Sequence, residues 1–409
     1  MQDTGKIDFV PSCPRVCMFS ESYYPQTGGT PTQALALAEG LTRAGFPPLV
    51  ITRRFEEDVA KSDIYDGVRV FRVGPVGDGA GKKWGMLFTS LPLLVRLRRE
   101  YDILFVPGFR VIGLVAIFVA WLFGKKCVFR AVSCGEMSGA FFRAGLMKSI
   151  APVRLFFNLF NKFRMFVLRR ADAFVTISSV ISDEYAGAGI TGERVSYIPN
   201  GIDPALFSPV GKGEKSELRS KLGVDDVAFI AIYTGRLVRY KGVMTLIDAW
   251  EEVVRKHPES RLLLVGAGGN DMHNCEDELR VRAGHLSDSV IFVGDVNNVR
   301  DYLCASDVFL FPTENEAFGI SLIEAMGCGL PVISTVVGGI KDFLFDRRNG
   351  LVFEQGDSEM LAKLIMEVYE DAVLRERLAS AAVDTVLEKF SQSLITDRYI
   401  GLFRSLEEL

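Results

Sequence analysis

Two carboxylates stand eight residues apart in "ENEAFGISLIEAMGCGLPV" (314–332), Glu316 ahead of a Phe-Gly step and Glu324 inside a run of helical spacing. A helix beginning near Gly319 or Ile320 would turn Ile320, Ile323 and Met326 to a core and leave Glu316 in the loop before it. Their separation, roughly 12 Å at most if every step were helical, is too great for a shared proton and suits contacts at opposite ends of an extended ligand. Between them, the N–H groups of Phe318, Gly319 and Ile320 are placed to hold phosphate oxygens. Upstream, "YTGRLVRYKGV" (233–243) runs a strand into a glycine turn that carries Arg236 and Lys241 just before a helix. Two cations beside a helix N-terminus suit a diphosphate, because the backbone dipole adds to the side-chain charge. On spacing alone a plainer reading stays open, with Glu324 a surface helix residue and Glu316 a loop acid.

Strands must position these groups. Short β-branched runs recur with helix-length segments between them: "RVCMF" (15–19), "PLVIT" (48–52), "ILFV" (103–106), "CVFRAV" (127–132) and "FVTI" (174–177). After the turn-rich "IPNGIDPALFSPVGKGEKSE" the pattern restarts with "AFIAIYT" (228–234), "RLLLV" (261–265), "VIFV" (290–293), "DVFLF" (307–311) and "PVIS" (331–334). Such alternation predicts two doubly wound α/β domains, each a parallel sheet covered by helices on both faces and binding ligands at the carboxyl ends of its strands. The boundaries drawn from turn chemistry are 1–205, 206–388 and a C-terminal helix over 389–409 that packs back on the first domain. Its aromatics Phe390, Tyr399 and Phe403 are spaced to lie on one side.

Composition narrows the classes. The 409 residues, 48% hydrophobic and 24% charged, suit a folded protein rather than a disordered one. Seven scattered cysteines read as reduced core thiols, and three histidines (His257, His273, His285) leave little material for a histidine metal site. "MQDTGKIDFV" lacks the apolar core of a signal peptide, so the expected location is cytoplasmic. The net charge of −4 hides an asymmetry: residues 1–200 hold 25 Lys and Arg against 17 Asp and Glu, and the remainder 22 against 34. The basic half predicts attraction to phosphates or an anionic surface.

Linked motifs then give a resemblance. "GRLVRYKG", "SDVFLFPTENEAFGISLIEAMGCGLPVISTVVGGIKDFL", "NGLVFEQGD", "PNGID" and "TGGTPTQALALAEGL" resemble, in order and over nearly the whole chain, the family 4 retaining glycosyltransferases of the GT-B fold. That resemblance implies two Rossmann-like domains facing across a cleft, a nucleotide-sugar co-substrate such as a UDP- or GDP-sugar, and no metal or other cofactor. It implies that Arg236 and Lys241 bind the donor diphosphate and stabilise the departing nucleotide, that Glu316 holds hydroxyls of the transferred sugar, and that Glu324 holds the ribose. The backbone of Phe318 and Gly319 would contact sugar and phosphate, the Gly28-Gly29 turn would close over the diphosphate, and Val296 would lie near the base. Retention in this family is ascribed to a front-face displacement in which a donor phosphate oxygen assists deprotonation of the acceptor, so Glu316 positions without attacking. Many relatives carry a histidine near the end of a middle strand of the first domain. This chain has none before His257, and Ser133 and Glu136 in "FRAVSCGEMSG" (129–139) stand as acceptor-side candidates, with a structural loop glutamate the plainer reading of Glu136.

The acceptor side is expected to be a glycan, glycolipid or lipid-linked intermediate. From Met137 to Ala171 there is no acidic residue, while Arg143, Lys148, Arg154, Lys162, Arg164, Arg169 and Arg170 are interleaved with seven phenylalanines. Such a segment can lie at the inner face of a membrane with its cations toward lipid phosphates, or can be a helix packed on the sheet with its arginines in water. "VIGLVAIFVAWLFG" (111–124) has the length of a buried helix rather than a membrane span. No module for nucleic-acid binding accompanies the charge. Two rival functions remain, a GT-B nucleotide-sugar epimerase and a non-catalytic sugar-nucleotide-binding protein.

Overall fold

The computed structural model describes residues 14–26, 28–77, 80–140, 151–224, 228–269 and 271–408. It divides into two compact units: one of 1–176, 181–198 and 396–409, the other of 177–180 and 199–395.

The first unit is built on eight strands, β1 (Val16–Phe19), β2 (Leu49–Arg53), β3 (Ser62–Tyr65), β4 (Val68–Val73), β5 (Ile103–Pro107), β6 (Lys126–Arg130), β7 (Ala173–Thr176) and β8 (Val195–Tyr197). Their order is β3-β4-β2-β1-β5-β6-β7-β8, parallel throughout except for β3 against β4. The described helices are α1 (Gly29–Arg43), α2 (Ala80–Arg96), α3 (Gly113–Phe123), α4 (Ala151–Leu168) and α5 (Ser179–Gly187), which belongs to this unit from Ile181 on. Every residue of β1, β2 and β5 is buried, which is why these strands read as mainly apolar runs and not as alternating ones, with Thr52 and Arg53 at the end of β2 the buried polar exceptions.

The second unit holds β9 (Ile230–Thr234), β10 (Arg261–Val265), β11 (Val290–Gly294), β12 (Val308–Phe311), β13 (Val332–Ser334) and β14 (Leu351–Val352). Its helices are α6 (Lys212–Leu222), α7 (Val243–Lys256), α8 (Glu276–Arg282), α9 (Val299–Ala305), α10 (Ile320–Gly327), α11 (Ser358–Glu370) and α12 (Ala372–Lys389). The strand order β11-β10-β9-β12-β13-β14 is wholly parallel and reverses direction between β9 and β12. That reversal is the topological switch point, where loops leaving adjacent strands diverge to opposite faces and open a crevice. Helix α7 buries Val243, Leu246, Ile247, Trp250 and Val253, a one-face spacing that lays it along the sheet. Helices α11 and α12 each start on an aspartate whose carboxylate accepts a backbone N–H, Asp357 from Met360 and Asp371 from Leu374.

The change of unit falls at Ile198–Pro199, ahead of the boundary at 205 expected from turn residues. Backbone hydrogen bonds account for it: Ile202 N donates to Phe390 O (2.8 Å) and Gln392 N to Ile202 O (2.8 Å), tying the connecting segment to the end of α12. The last helix, α13 (Gln392–Glu407), joins the first unit only from Thr396 on. The expected single aromatic face is therefore split. Tyr399 and Phe403 pack on Phe105 of β5, whereas Phe390 packs with Phe318 and Phe343 in the second unit.

Candidate functional site

The crevice at the β9/β12 switch point is walled by two loops. The first leaves β9 through Gly235 to Gly242; Leu237 and Val238 are fully buried, and Leu237 N donates to Ala267 O (3.1 Å) in the loop after β10. The second leaves β12 through Pro312 to Gly319. Glu314 N donates to Tyr240 O (2.9 Å), so the two loops are hydrogen-bonded to one another. Gly242 makes this approach possible: at φ 69° it turns the chain into α7, and a Cβ there would run into the carbonyl of Pro312. On the other flank, Gly338 lies at φ 55° after β13, and a Cβ would run into the carbonyl of Glu316.

The result brings Lys241 and Glu316, 75 positions apart in the chain, into an ion pair between Nζ and Oε2. Both side chains are largely enclosed, at 13% and 17% exposure, and Glu316 Oε1 accepts the N–H of Ala317 (3.1 Å). Arg236 stands in the same loop with 58% of its side chain exposed, held by Asp271 (2.5 Å) and by the hydroxyl of Tyr240 (2.6 Å). Both expected cations are therefore present, each against a carboxylate. Asp271, in the turn between β10 and α8, was not singled out by sequence reasoning; an acid in a Gly-Asn-Asp turn has no local signature of pairing.

Helix α10 starts at Ile320 with Gly319 as its N-cap. Leu322, Ile323, Ala325 and Met326 are buried, while Ile320, expected in the core, is only half-buried. Phe318 is buried against Phe343 and Phe390, so its side chain anchors the loop, and its N–H lies 3.5 Å from Glu316 Oε1. Glu324 lies a little over one turn into α10, and burial pushes its carboxyl up to about 7. Val296 follows β11, three strand spacings from β12, or about 14 Å across the sheet edge. The glycine turn after β10 is closed by the protein's own groups: Gly268 N donates to Glu276 (2.9 Å), and a Cβ on Gly268 would meet the side chain of Asn274.

In the first unit, Gly28 (φ 129°) caps α1, whose first residue is Gly29, in the loop that follows β1. Glu136 is fully buried after β6. Its Oε1 accepts the hydroxyl of Ser133 (3.0 Å) and lies 3.5 Å from Arg110 Nε, and Arg110 also donates to Ser133 Oγ (2.6 Å). Burial pushes the Glu136 carboxyl up to about 7 against the opposing pull of Arg110. A carboxyl turned inward in this way fits the structural loop glutamate of the two readings open for Glu136; half-buried Ser133 and the partly exposed Arg110 form the outer end of the chain. The loop is rigid by construction, because Glu184 accepts the N–H groups of Gly135, Met137 and Ser138 at 2.7–2.9 Å.

Two further expectations change, and one falls on residues not described. Arg143 and Lys148 lie outside the described residues. Arg164 does not point to water or lipid: it is completely buried, donating to the carbonyls of Arg110 (2.6 Å), Met137 (3.1 Å) and Glu136. Of the cysteines, Cys17, Cys127, Cys275, Cys304 and Cys328 are buried free thiols as expected, but Cys134 is exposed.

Two family models match the chain, one along each unit: Glycosyltransferase Family 4 over residues 27–206 and Glycosyl transferases group 1 over 214–384. The chain is 26% identical to an uncharacterized glycosyltransferase of Methanocaldococcus jannaschii, covering 97% of this chain and 99% of that protein. It is 35% identical over 189 residues to the lipopolysaccharide core biosynthesis glycosyltransferase LpsE of Rhizobium meliloti, covering 46% of this chain and about half (53%) of that protein. Among solved structures, Anabaena HepE in complex with UDP and glucose superposes with a TM-score of 0.73 at 21% identity, over 97% of this chain and 100% of that one. The fold is GT-B. The chain belongs to the family 4 glycosyltransferases, as the resemblance of its motifs implied.

Proposed function

We propose that this glycosyltransferase moves a sugar, with retention and without a metal ion, from a nucleotide-sugar to a glycan, glycolipid or lipid-linked acceptor at the cytoplasmic side of a membrane. The observation that carries the reading is the enclosed Lys241–Glu316 pair at the β9/β12 switch point, with Arg236 in the same loop. Cleaving the bond between the anomeric carbon and the donor phosphate leaves a nucleoside diphosphate whose negative charge must be met in place. Preorganised cations meet it best where water is excluded, and one such donor contributes roughly 3–4 kcal/mol to an anionic transition state. Lys241 and Arg236 take that role, their carboxylate partners Glu316 and Asp271 giving way to phosphate oxygens. Glu316 then orients sugar hydroxyls, and Glu324 accepts a ribose hydroxyl in its ionised form. The acceptor oxygen bonds to the anomeric carbon on the face the phosphate leaves, and its proton passes to a phosphate oxygen. UDP and glucose in HepE support a nucleotide-sugar donor, and LpsE supports a lipopolysaccharide-type acceptor.

Product analysis tests the reading. Incubation with a panel of UDP- and GDP-sugars plus lipopolysaccharide-core acceptors is expected to release free nucleotide and label the acceptor. An isomerised donor would mark an epimerase, and donor binding without turnover would mark a binding protein; either outcome would overturn the proposal.

A further inference from the structure

Helix α4 is built inside out. Asn161 and Arg164, two of its polar residues, face the protein: Asn161 donates to Ser138 O (2.7 Å), and Arg164 ties the carbonyls of Arg110, Glu136 and Met137. Five of its large apolar residues, Leu155, Phe156, Leu159, Phe163 and Phe166, face solvent, each 58–65% exposed, while Phe157 and Phe160 are half-buried and Leu168 is buried. A soluble helix is arranged the other way, with its apolar stripe on the core. The orientation is not accidental, since rotating the helix would strip the buried guanidinium of its acceptors. The neighbouring α3 repeats the arrangement. Expected to be a buried helix, it instead leaves Phe118, Trp121 and Leu122 exposed at 48%, 76% and 50%, at a one-face spacing. Together these side chains expose on the order of 800 Å² of apolar surface, beyond the patches of about 300–600 Å² usual on a monomer.

Charge selects the occupant. Helices α2, α3 and α4 adjoin one another and contain not one Asp or Glu, while Lys82, Arg96, Arg154 and Lys162 are exposed on them. The end of α4 adds exposed Arg169 and Arg170, whereas Lys125 and Lys126 after α3 are paired with Asp102 and Asp172. An apolar face bordered by exposed cations, on helices that carry no carboxylate of their own, complements acyl chains beneath anionic headgroups. Among the described residues no helix is long and apolar enough to cross a membrane, so contact would be with one leaflet.

We infer that the exposed face of α3 and α4 docks this protein on an anionic lipid leaflet, with Trp121, Phe156 and Phe163 entering the interface and Arg154 and Lys162 meeting lipid phosphates. The inference rests on the first unit alone, so it is separable from the donor reading, which is read by nucleotide-sugar stabilisation of the same samples.

Co-sedimentation of the full chain with vesicles tests it. Wild type is expected to pellet with phosphatidylcholine vesicles containing phosphatidylglycerol, to bind pure phosphatidylcholine more weakly, and to lose part of the difference in high salt. The double variant Phe156→Ser, Phe163→Ser should bind at least about tenfold more weakly, with unchanged melting temperature because both side chains are already in water. In a second measurement, the fluorescence of Trp121 should shift blue on adding those vesicles, and Trp121→Phe should abolish the shift. Wild type remaining in the supernatant, undiminished binding by the serine variant, or a lipid-free dimer in sedimentation velocity that the serine substitutions dissolve would each overturn the proposal.

Discussion

Lys241 and Glu316 meet as an enclosed ion pair although one follows β9 and the other follows β12. Parallel pairing of those two strands brings their carboxyl ends side by side, and Gly242 lets the two loops close on each other. The pair is a local consequence of the switch point, and it holds both groups ready before any donor arrives.

Removing either partner is therefore expected to hurt transfer more than folding. Glu316→Ala and Lys241→Ala should each lower kcat/KM by about 10²–10³-fold, the range for losing one preorganised charge at a reacting centre. The two effects should not add, because each partner orders the other. Steady-state kinetics on both single variants and the double variant check this, and full activity of Glu316→Ala would remove it from the site.

Glu324 carries a pH dependence of determined sign. Burial raises its carboxyl to about 7 from an ordinary 4.5, so the folded chain holds the proton more tightly than the unfolded one. Stability contributed by this group then falls as pH rises from about 4.5 to 7 and stays low above that. Glu324→Gln should be more stable than wild type at about pH 8, with the difference closing toward pH 5, in thermal melts. Nucleotide binding should run the opposite way: wild-type affinity rises as pH passes through about 7 and the carboxylate forms, while the variant binds weakly and flatly by calorimetry.

Gly242→Ala is expected to cost more than about 3 kcal/mol, because a Cβ meets the carbonyl of Pro312 in addition to the strain of a positive φ. Gly356 has a similar φ of 77° with nothing within 4 Å of a Cβ, so Gly356→Ala isolates the strain at about 1–2 kcal/mol. Denaturant unfolding of the two variants separates the terms, and equal costs would rule out the clash.

Arg164→Met should destabilise the first unit by about 3–5 kcal/mol, since three buried carbonyls lose a charged donor. Native-state hydrogen exchange should show the loss around residues 133–139, with β9 to β13 unaffected.

Much of the fold was legible because buried parallel strands advertise themselves: β1, β2, β5, β6, β7 and β9 to β13 all fall on apolar, β-branched runs. The strands that escaped are those without that signature. β3 is exposed along most of its length, β4 mixes Arg69 and Arg72 among its valines, β8 has no fully buried residue, and β14 has only two residues. The sequence by itself determined that two sheets form, that glycine turns follow their strands, and that Arg236, Lys241 and Glu316 lie in loops after strands with Glu324 in the helix that follows, because periodicity and turn chemistry are local properties. Only the tertiary structure decided that Lys241 pairs with Glu316 and Arg236 with Asp271, that Glu136 turns inward, and that α4 hides its arginine and shows its phenylalanines. Those outcomes depend on which strand ends become neighbours and on where buried carbonyls need a donor, and neither is written in the spacing of any single segment.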